Sequence, residues 1–264
     1  MRPHDRWTAL LDILGRDGRV DVGEAADELA VSAATIRRDL DHLAGQQLLT
    51  RTRGGAAPAS VAYDLPLRYK TGRHTEEKAR IGAATAALLR PGSVVAINGG
   101  TTTSEVVRAL VTVPAPPAAD AAQDTPVFTV VTNALNIAND LAVRRTIKLV
   151  VTGGVARPSS YELIGPLAEP ALARLHLDYV VLGVDGFDLM TGATAHHEGE
   201  AAVNALMVAQ ASTVVVVADS SKLGHRSFAR ICPAKAANIL VTDTDADPDL
   251  VSAFTDLGVR VIRA

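Results

Sequence analysis

Two sets of residues in this 264-residue chain have side chains suited to holding anions. One is the run Asn98-Gly99-Gly100-Thr101-Thr102-Thr103. Paired glycines let the backbone approach a ligand closely, and hydroxyls at the start of a helix stand beside unpaired N–H groups and the positive end of the helix dipole. That combination points to phosphate. It is not a P-loop, because no Gly-Lys-Ser or Gly-Lys-Thr follows. Further along, Lys222 in Asp219-Ser220-Ser221-Lys222 offers a point charge to the anion, and Asp185 in Asp185-Gly186-Phe187-Asp188 offers acceptors to the hydroxyls of a sugar or polyol. A ligand carrying both phosphate and polyol is implied. Strand-to-helix turns use several of these residue types for backbone reasons alone, and that reading stays open.

The second set is Ser32 to Leu40, with Arg37 and Arg38 adjacent. Ser32 suits a helix N-cap, since its hydroxyl can accept from an N–H that lacks an intrahelical partner. Beyond that cap Ile36, Leu40 and Leu43 fall at i, i+4 and i+7, while Ala34, Arg37, Arg38 and Asp41 project from the other side. One face packs and the other reaches outward. Alone, this is equally a surface helix with two solvated arginines.

The neighbouring elements narrow the choice. Trp7, Leu10, Leu11 and Leu14 repeat at helical spacing before Gly15 and Gly18. Asp21-Val22-Gly23-Glu24 has the form of a capping box and opens a short helix with Ala25, Ala26 and Leu29 inward, joined to Ser32 by Val31. Two short helices and a tight turn make a helix-turn-helix, whose second helix enters the major groove of DNA. Leu48 to Gly55 alternates and ends in paired glycines, the pattern of a β-wing. Residues 1–56 hold eight Arg and no Lys against nine Asp plus Glu, a net of −1, so positive charge is local rather than general. Arg51 and Arg53 suit backbone phosphates, and Arg37 or Arg38 base edges.

After Ala57 the chain lacks a period and carries Pro58, Pro66 and Gly72, so residues 58–74 read as a linker between a DNA-binding domain at 1–57 and a second domain at 75–264. From Thr75 onward, helices are expected over Glu76–Leu89, to Leu110, and over Leu135–Val143, Leu167–Leu175, Glu200–Ala211 and Asp249–Leu257. They alternate with strands at Val94–Ile97, Phe128–Thr132, Ile147–Thr152, Tyr179–Val184, Thr213–Ala218, Ile239–Thr242 and Val259–Ile262. Unbroken apolar strands between helices indicate a doubly wound, mostly parallel α/β sheet covered on both faces. Ligands of such sheets gather beyond the carboxyl ends of the strands, where Asn98–Thr103, Asn133, Gly153-Gly154, Asp185 and Lys222 fall. The Pro/Ala-rich segment 112–126 reads as a flexible insertion.

His196-His197-Glu198 invites a metal reading, but adjacent residues on an extended loop point apart, no HExxH helix exists, and no cysteine lies near. No metal, cofactor or catalytic residue is assigned. The single Cys232 forms no intrachain disulfide, and no charged-then-apolar leader or 18-residue apolar span occurs, so a cytoplasmic protein without membrane contact is expected. With 48% hydrophobic residues the chain can bury a sizeable core, and a net charge of −3 excludes a polycationic nucleic-acid coat.

The stretch Asp21–Ala56, with TIRRDL at Thr35–Leu40 and LTRTRGGA at Leu49–Ala56, resembles the winged helix-turn-helix of the DeoR family of bacterial transcriptional regulators. Arg53 stands where that family usually carries His before the glycine pair. Motifs at Val130–Ala142, Val151–Gly154, Leu163–Glu169, Gly183–Asp188 and Ala218–Gly224 are similar to those of the family's effector domain, which resembles ribose-5-phosphate isomerase in fold and senses phosphorylated sugars or related metabolites. Ser32, Thr35, Arg37, Arg38, Arg51 and Arg53 are then the expected DNA contacts. The resemblance implies Gly100, Thr101, Thr102, Asn133, Asp185, Glu200 and Lys222 as effector contacts, together with Asn98 and Gly99 of the same loop. It also matches Arg68 and Lys78 to basic positions of the family. Asn98 replaces the family's usual Asp, and Asn204 stands where a Lys often follows Glu200-Ala201, so the identity of the ligand is open.

The expected function is a repressor of sugar or polyol catabolism genes, a homo-oligomer (dimer or tetramer) whose hold on double-stranded operator DNA changes with a bound phosphorylated metabolite. The alternatives are a sugar-phosphate isomerase with an appended DNA module, using Asp185, Asp188, Glu200 and Lys222, and a DNA-binding scaffold with no effector.

Overall fold

A computed structural model of the chain describes residues 1–46, 48–57, 67, 74–114 and 126–264. Most of the linker and of the Pro/Ala-rich insertion expected from the sequence, with Arg68, lie outside these residues. Contacts cluster within two units, Met1–Gly72 and Arg73–Ala264. No helix among the described residues is long and apolar enough to cross a membrane.

The N-terminal unit contains helices α1 (Pro3–Asp17), α2 (Val22–Glu28) and α3 (Ala33–Gly45), with strands β1 (Val20–Asp21), β2 (Thr50–Thr52) and β3 (Gly55–Ala57). The strands form one antiparallel sheet in the order β1-β3-β2. Leu10, Leu11 and Leu14 of α1 meet Ile36, Leu40 and Leu43 of α3 in a core that also takes Val20, Ala25 and Leu49. The two glycines of the wing have different reasons. Gly54 turns the hairpin at φ +94°, whereas a Cβ at Gly55 would fall 1.8 Å from the Val20 carbonyl oxygen across the β1–β3 pairing.

The C-terminal unit begins with α4 (Thr75–Ala86), followed by β4 (Val94–Ile97), α5 (Thr101–Leu110), β5 (Phe128–Thr132), α6 (Leu135–Leu141) and β6 (Ile147–Val151). After a two-stranded hairpin, β7 (Val155–Ala156) and β8 (Leu163–Ile164), come α7 (Glu169–Leu172), β9 (Leu177–Gly183), β10 (Gly186–Asp188), β11 (Gly192–Ala195) and α8 (Glu198–Gln210). Then follow β12 (Ala211–Val217), a 3-10 turn at Ser220–Lys222, β13 (Ala229–Cys232), β14 (Ile239–Thr242), α9 (Pro248–Asp256) and β15 (Arg260–Arg263). Seven strands pair in parallel in the order β15-β14-β12-β9-β4-β5-β6.

Alternate residues of the central strands supply two cores. Val95, Ile97, Val181, Val215 and Val241 pack under α4, α5 and α6 through Ile81, Val106, Leu110, Ile137 and Leu141. Ala96, Val180, Leu182, Val216 and Leu240 face α7, α8 and α9 through Leu172, Ala201, Met207 and Phe254. This two-sided burial explains why the strands read as continuous apolar runs. A second sheet, β10-β11-β13, is antiparallel and lies on the latter core, where Phe187 stacks on Phe254 at 4.6 Å between ring centroids.

Several elements differ from the sequence expectation. The helix expected over Leu167–Leu175 is regular only at Glu169–Leu172, because the ring of Pro170 restricts it to a first-turn position. The helix expected to open at Glu200 opens at Glu198, capped by His197 Nδ1, which accepts from the Gly199 N–H at 3.0 Å. Strands β1, β7, β8, β10, β11 and β13 were not expected.

Candidate functional site

The DNA-facing candidates sit on α3 and the wing. Ser32 Oγ accepts from the Thr35 N–H at 3.2 Å and lies 2.9 Å from Thr35 Oγ1, so both residues are engaged in starting the helix. Asp21 Oδ1 caps α2 through the N–H groups of Gly23 and Glu24 at 2.7 and 3.1 Å. Between α2 and α3, Ala30 takes a left-handed φ of +52°.

Asp39 is turned inward, although it directly follows the exposed Arg37 and Arg38. It is buried, bonded to Arg6 through two guanidinium nitrogens, and accepts from Trp7 Nε1 at 2.8 Å. His42 stacks on Trp7 with 4.0 Å between ring centroids. The α1 surface thus grips α3 through its single buried acid. Arg51 is engaged as well: its Nε donates to Asp41 at 2.8 Å and its Nη1 donates to the Gly55 carbonyl, tying the wing to α3. Arg37, Arg38 and Arg53 are exposed and have no ion-pair partner among the described residues. The two acids of α3, Asp39 and Asp41, are therefore matched by Arg6 and Arg51, and the outward charge of α3 and the wing is positive.

In the other unit β4 is an interior strand, and the chain runs outward to β6 before returning to β9 on the opposite side of β4. The β4/β9 boundary is therefore the switch point of the sheet, where parallel α/β folds open a crevice at the carboxyl ends of the strands. Asn98 spans it: its Oδ1 accepts from the Gly183 N–H at 2.8 Å and its Nδ2 donates to the Gly183 carbonyl at 3.0 Å. The carboxamide thus continues the ladder as a backbone peptide would. Gly100 follows at φ +147° as the residue before α5, a ten-residue helix, and its carbonyl accepts from the hydroxyls of Thr103 and Ser104 at 3.1 and 2.7 Å. Thr101 and Thr102 occupy the first two positions of α5.

Strands β9 and β12 carry Asp185 and Lys222 to the same sheet end, on the strands adjoining β4 and β9 respectively. Asp185 Oδ2 accepts from the His196 N–H at 3.0 Å, and His196 Nε2 lies 3.9 Å from Oδ1. Lys222 is half-buried in the 3-10 turn after β12. Asn133, after β5, has no exposed surface. Glu200 is not at a strand end: it lies in the first turn of α8, buried and paired with Arg157 at 2.9 Å. Asp188 also falls elsewhere, in β10, where Oδ1 caps the turn to β11 and accepts from Arg226 at 2.9 Å. The four-residue proton-transfer set of the isomerase alternative is therefore not assembled at strand ends.

Sequence reasoning missed Glu162. It precedes β8, is buried, and accepts from Asn133 Nδ2 at 2.9 Å. Burial first, and the charges of Glu200 and Asp185 next, push its carboxyl up to about 8. The available signal was one acid set in Tyr161-Glu162-Leu163-Ile164, an otherwise apolar fragment. Asn204, one turn beyond Glu200, is buried with an unpartnered Oδ1.

Comparison with known proteins fits both units. Residues 6–61 match the model of the DeoR-like helix-turn-helix domain, and residues 73–244 that of the DeoR C terminal sensor domain. The HTH-type transcriptional regulator GlpR of Haloferax volcanii is 34% identical over 264 residues, covering 99% of this chain and 98% of the relative. The glycerol-3-phosphate regulon repressor of Escherichia coli K12 is 28% identical over 261 residues, covering 99% of each. Among solved structures, ribose 5-phosphate isomerase A of Methanocaldococcus jannaschii matches with TM-score 0.40 and 17% identity, over 57% of this chain and 55% of that one. The relatives are named as regulators rather than enzymes, and with both of its units matched the chain belongs to the DeoR family of transcriptional regulators.

Proposed function

We propose that the chain represses genes of sugar or polyol catabolism, holding duplex operator DNA through α3 and the wing and changing that hold when a phosphorylated sugar or related metabolite binds at the carboxyl ends of β4, β9 and β12. Residues 1–57 act as the DNA-binding part, 58–74 as linker and 75–264 as sensor, in a cytoplasmic homo-oligomer. One winged helix reads a short half-site, so pairing supplies both affinity and spacing. The observation that carries the reading is the Gly99-Gly100-Thr101-Thr102 loop, which opens α5 at the switch point of the sheet. Exposed Arg37 and Arg38 support the DNA side. One relative is named for a glycerol-3-phosphate regulon, which makes that three-carbon polyol phosphate the first metabolite to try.

Two substitutions separate the roles. Arg37→Ala should weaken binding to a labelled operator duplex by 1–3 kcal/mol, roughly 5- to 150-fold, by fluorescence anisotropy, with metabolite-induced thermal stabilisation unchanged. Lys222→Ala should retain duplex affinity and lose most of the stabilisation across three- to six-carbon sugar phosphates. If each variant loses both properties, the division of labour is wrong.

A further inference from the structure

The loop that opens α5 already carries an acid. A Cβ at Gly99 would fall 2.5 Å from Glu162 Oε1 and 2.6 Å from its Cγ, so the Glu162 side chain lies across the space the glycine leaves open. The Gly99 backbone lies against this carboxyl and slightly favours its charged form, and Asn133 Nδ2 donates to Oε2 at 2.9 Å. The backbone ahead of a helix N-terminus is also what a ligand phosphate would use. A second feature lies beside it: Asn133 Oδ1 is buried and has no hydrogen-bond partner. A buried acceptor without a donor is costly. A half-turn of that carboxamide would turn Oδ1 toward Glu162, as a protonated carboxyl requires.

Resting on the effector site proposed above, we infer that Glu162 is an internal competitor for the anionic group of the effector. Its carboxylate and the incoming phosphate claim the same space beside Gly99 and carry the same sign of charge, so the effector binds tightly to the form in which Glu162 has taken a proton from solvent. The ionisable groups around it are Glu200 of α8, paired with Arg157, and Asp185 after β9, with His196 at 3.9 Å from Asp185 and His197 capping α8. Both acids favour the protonated form of Glu162, which loses its proton as pH rises through about 8. Effector affinity should therefore fall across that range.

Sulfate tests this, because it is a tetrahedral dianion whose own charge is constant between about pH 6 and about pH 9, so only protein groups titrate. Calorimetry on the full chain should show wild-type affinity falling by up to about tenfold per pH unit above about 8, while Glu162→Gln keeps a flat profile. Thr102→Val, which alters the loop and not the arginines of α3, identifies the heat that belongs to the loop. In the wild type, buffers of different ionisation heat should reveal uptake of about half a proton per sulfate near pH 8, rising toward one above about pH 9, and this count decides the matter alone if the Gln variant does not fold. Sulfate bound with parallel pH profiles, or with no proton taken up, refutes the competition and leaves the effector site standing. Sulfate bound by neither protein at any pH removes the anion site, and the proposed effector reading with it.

Discussion

Asp39 and Glu162 are both buried carboxylates, and their neighbours give them opposite chemistry. Asp39 faces a guanidinium and an indole N–H, so its charge is matched where it lies. Truncating it would leave Arg6 an uncompensated, largely buried cation and Trp7 an orphaned donor, a loss of about 3–5 kcal/mol. Asp39→Ala should therefore shift the urea midpoint of the N-terminal unit strongly downward. Trp7 is the chain's one tryptophan, so its fluorescence reports that unit selectively. Glu162 instead faces amides and other acids. Its folded carboxyl titrates near 8 against an ordinary value of 4.5, so between those values the folded state holds a proton that the unfolded state has released. Stability of the C-terminal unit should fall with rising pH across that window, by up to about 1.4 kcal/mol per pH unit, and be level on either side. Calorimetric unfolding of Glu162→Gln should show the slope removed, making the variant the more stable protein above about pH 8.

At the level of elements, the turn between α2 and α3 sets the angle at which α3 leaves the first helices, and it depends on Ala30 at φ +52°. An L-residue with a Cβ is strained there by roughly 1–2 kcal/mol, which glycine avoids at a smaller cost in unfolded-chain entropy. Ala30→Gly should thus stabilise the N-terminal unit by up to about 1 kcal/mol in Trp7-monitored denaturation, with operator affinity kept. The sequence placed a tight turn here at Val31 but did not mark the left-handed Ala30, which reads as one more helix former after Leu29. Helices with caps and stripes, such as Ser32–Leu43, were legible, since their signals lie within a few turns of chain. So were the parallel strands, whose two buried faces make apolar runs. The short strands β10 and β11 were not: Gly186-Phe187-Asp188 and Gly192-Ala193-Thr194-Ala195 pair with each other, and β11 takes its other edge from β13, more than thirty residues on. The same limit applies to the site. The turn of the Gly99-Gly100 loop into α5 could be read from its glycines and threonines, but Glu162 reaches Gly99 from a segment over sixty residues away, across a hairpin that no local pattern announces.

For the whole molecule, a repressor with a metabolite sensor must satisfy a thermodynamic equality. The effector can shift the grip on DNA only by as much as it prefers one state of the protein over the other, typically 1–3 kcal/mol or about 5- to 150-fold. Because that coupling is reciprocal, saturating operator must change effector affinity by the same factor that saturating effector changes operator affinity. Each leg is measurable on the full chain: anisotropy of a labelled duplex with and without glycerol 3-phosphate, and calorimetry of glycerol 3-phosphate with and without the duplex. Equal factors are expected in wild type. If the exposed Arg37 acts on the DNA leg alone, Arg37→Ala should show the same two factors but need roughly 5- to 150-fold more duplex to reach them. Unequal factors in the wild type would mean that the metabolite alters DNA binding by some route other than equilibrium linkage between the sensor and α3.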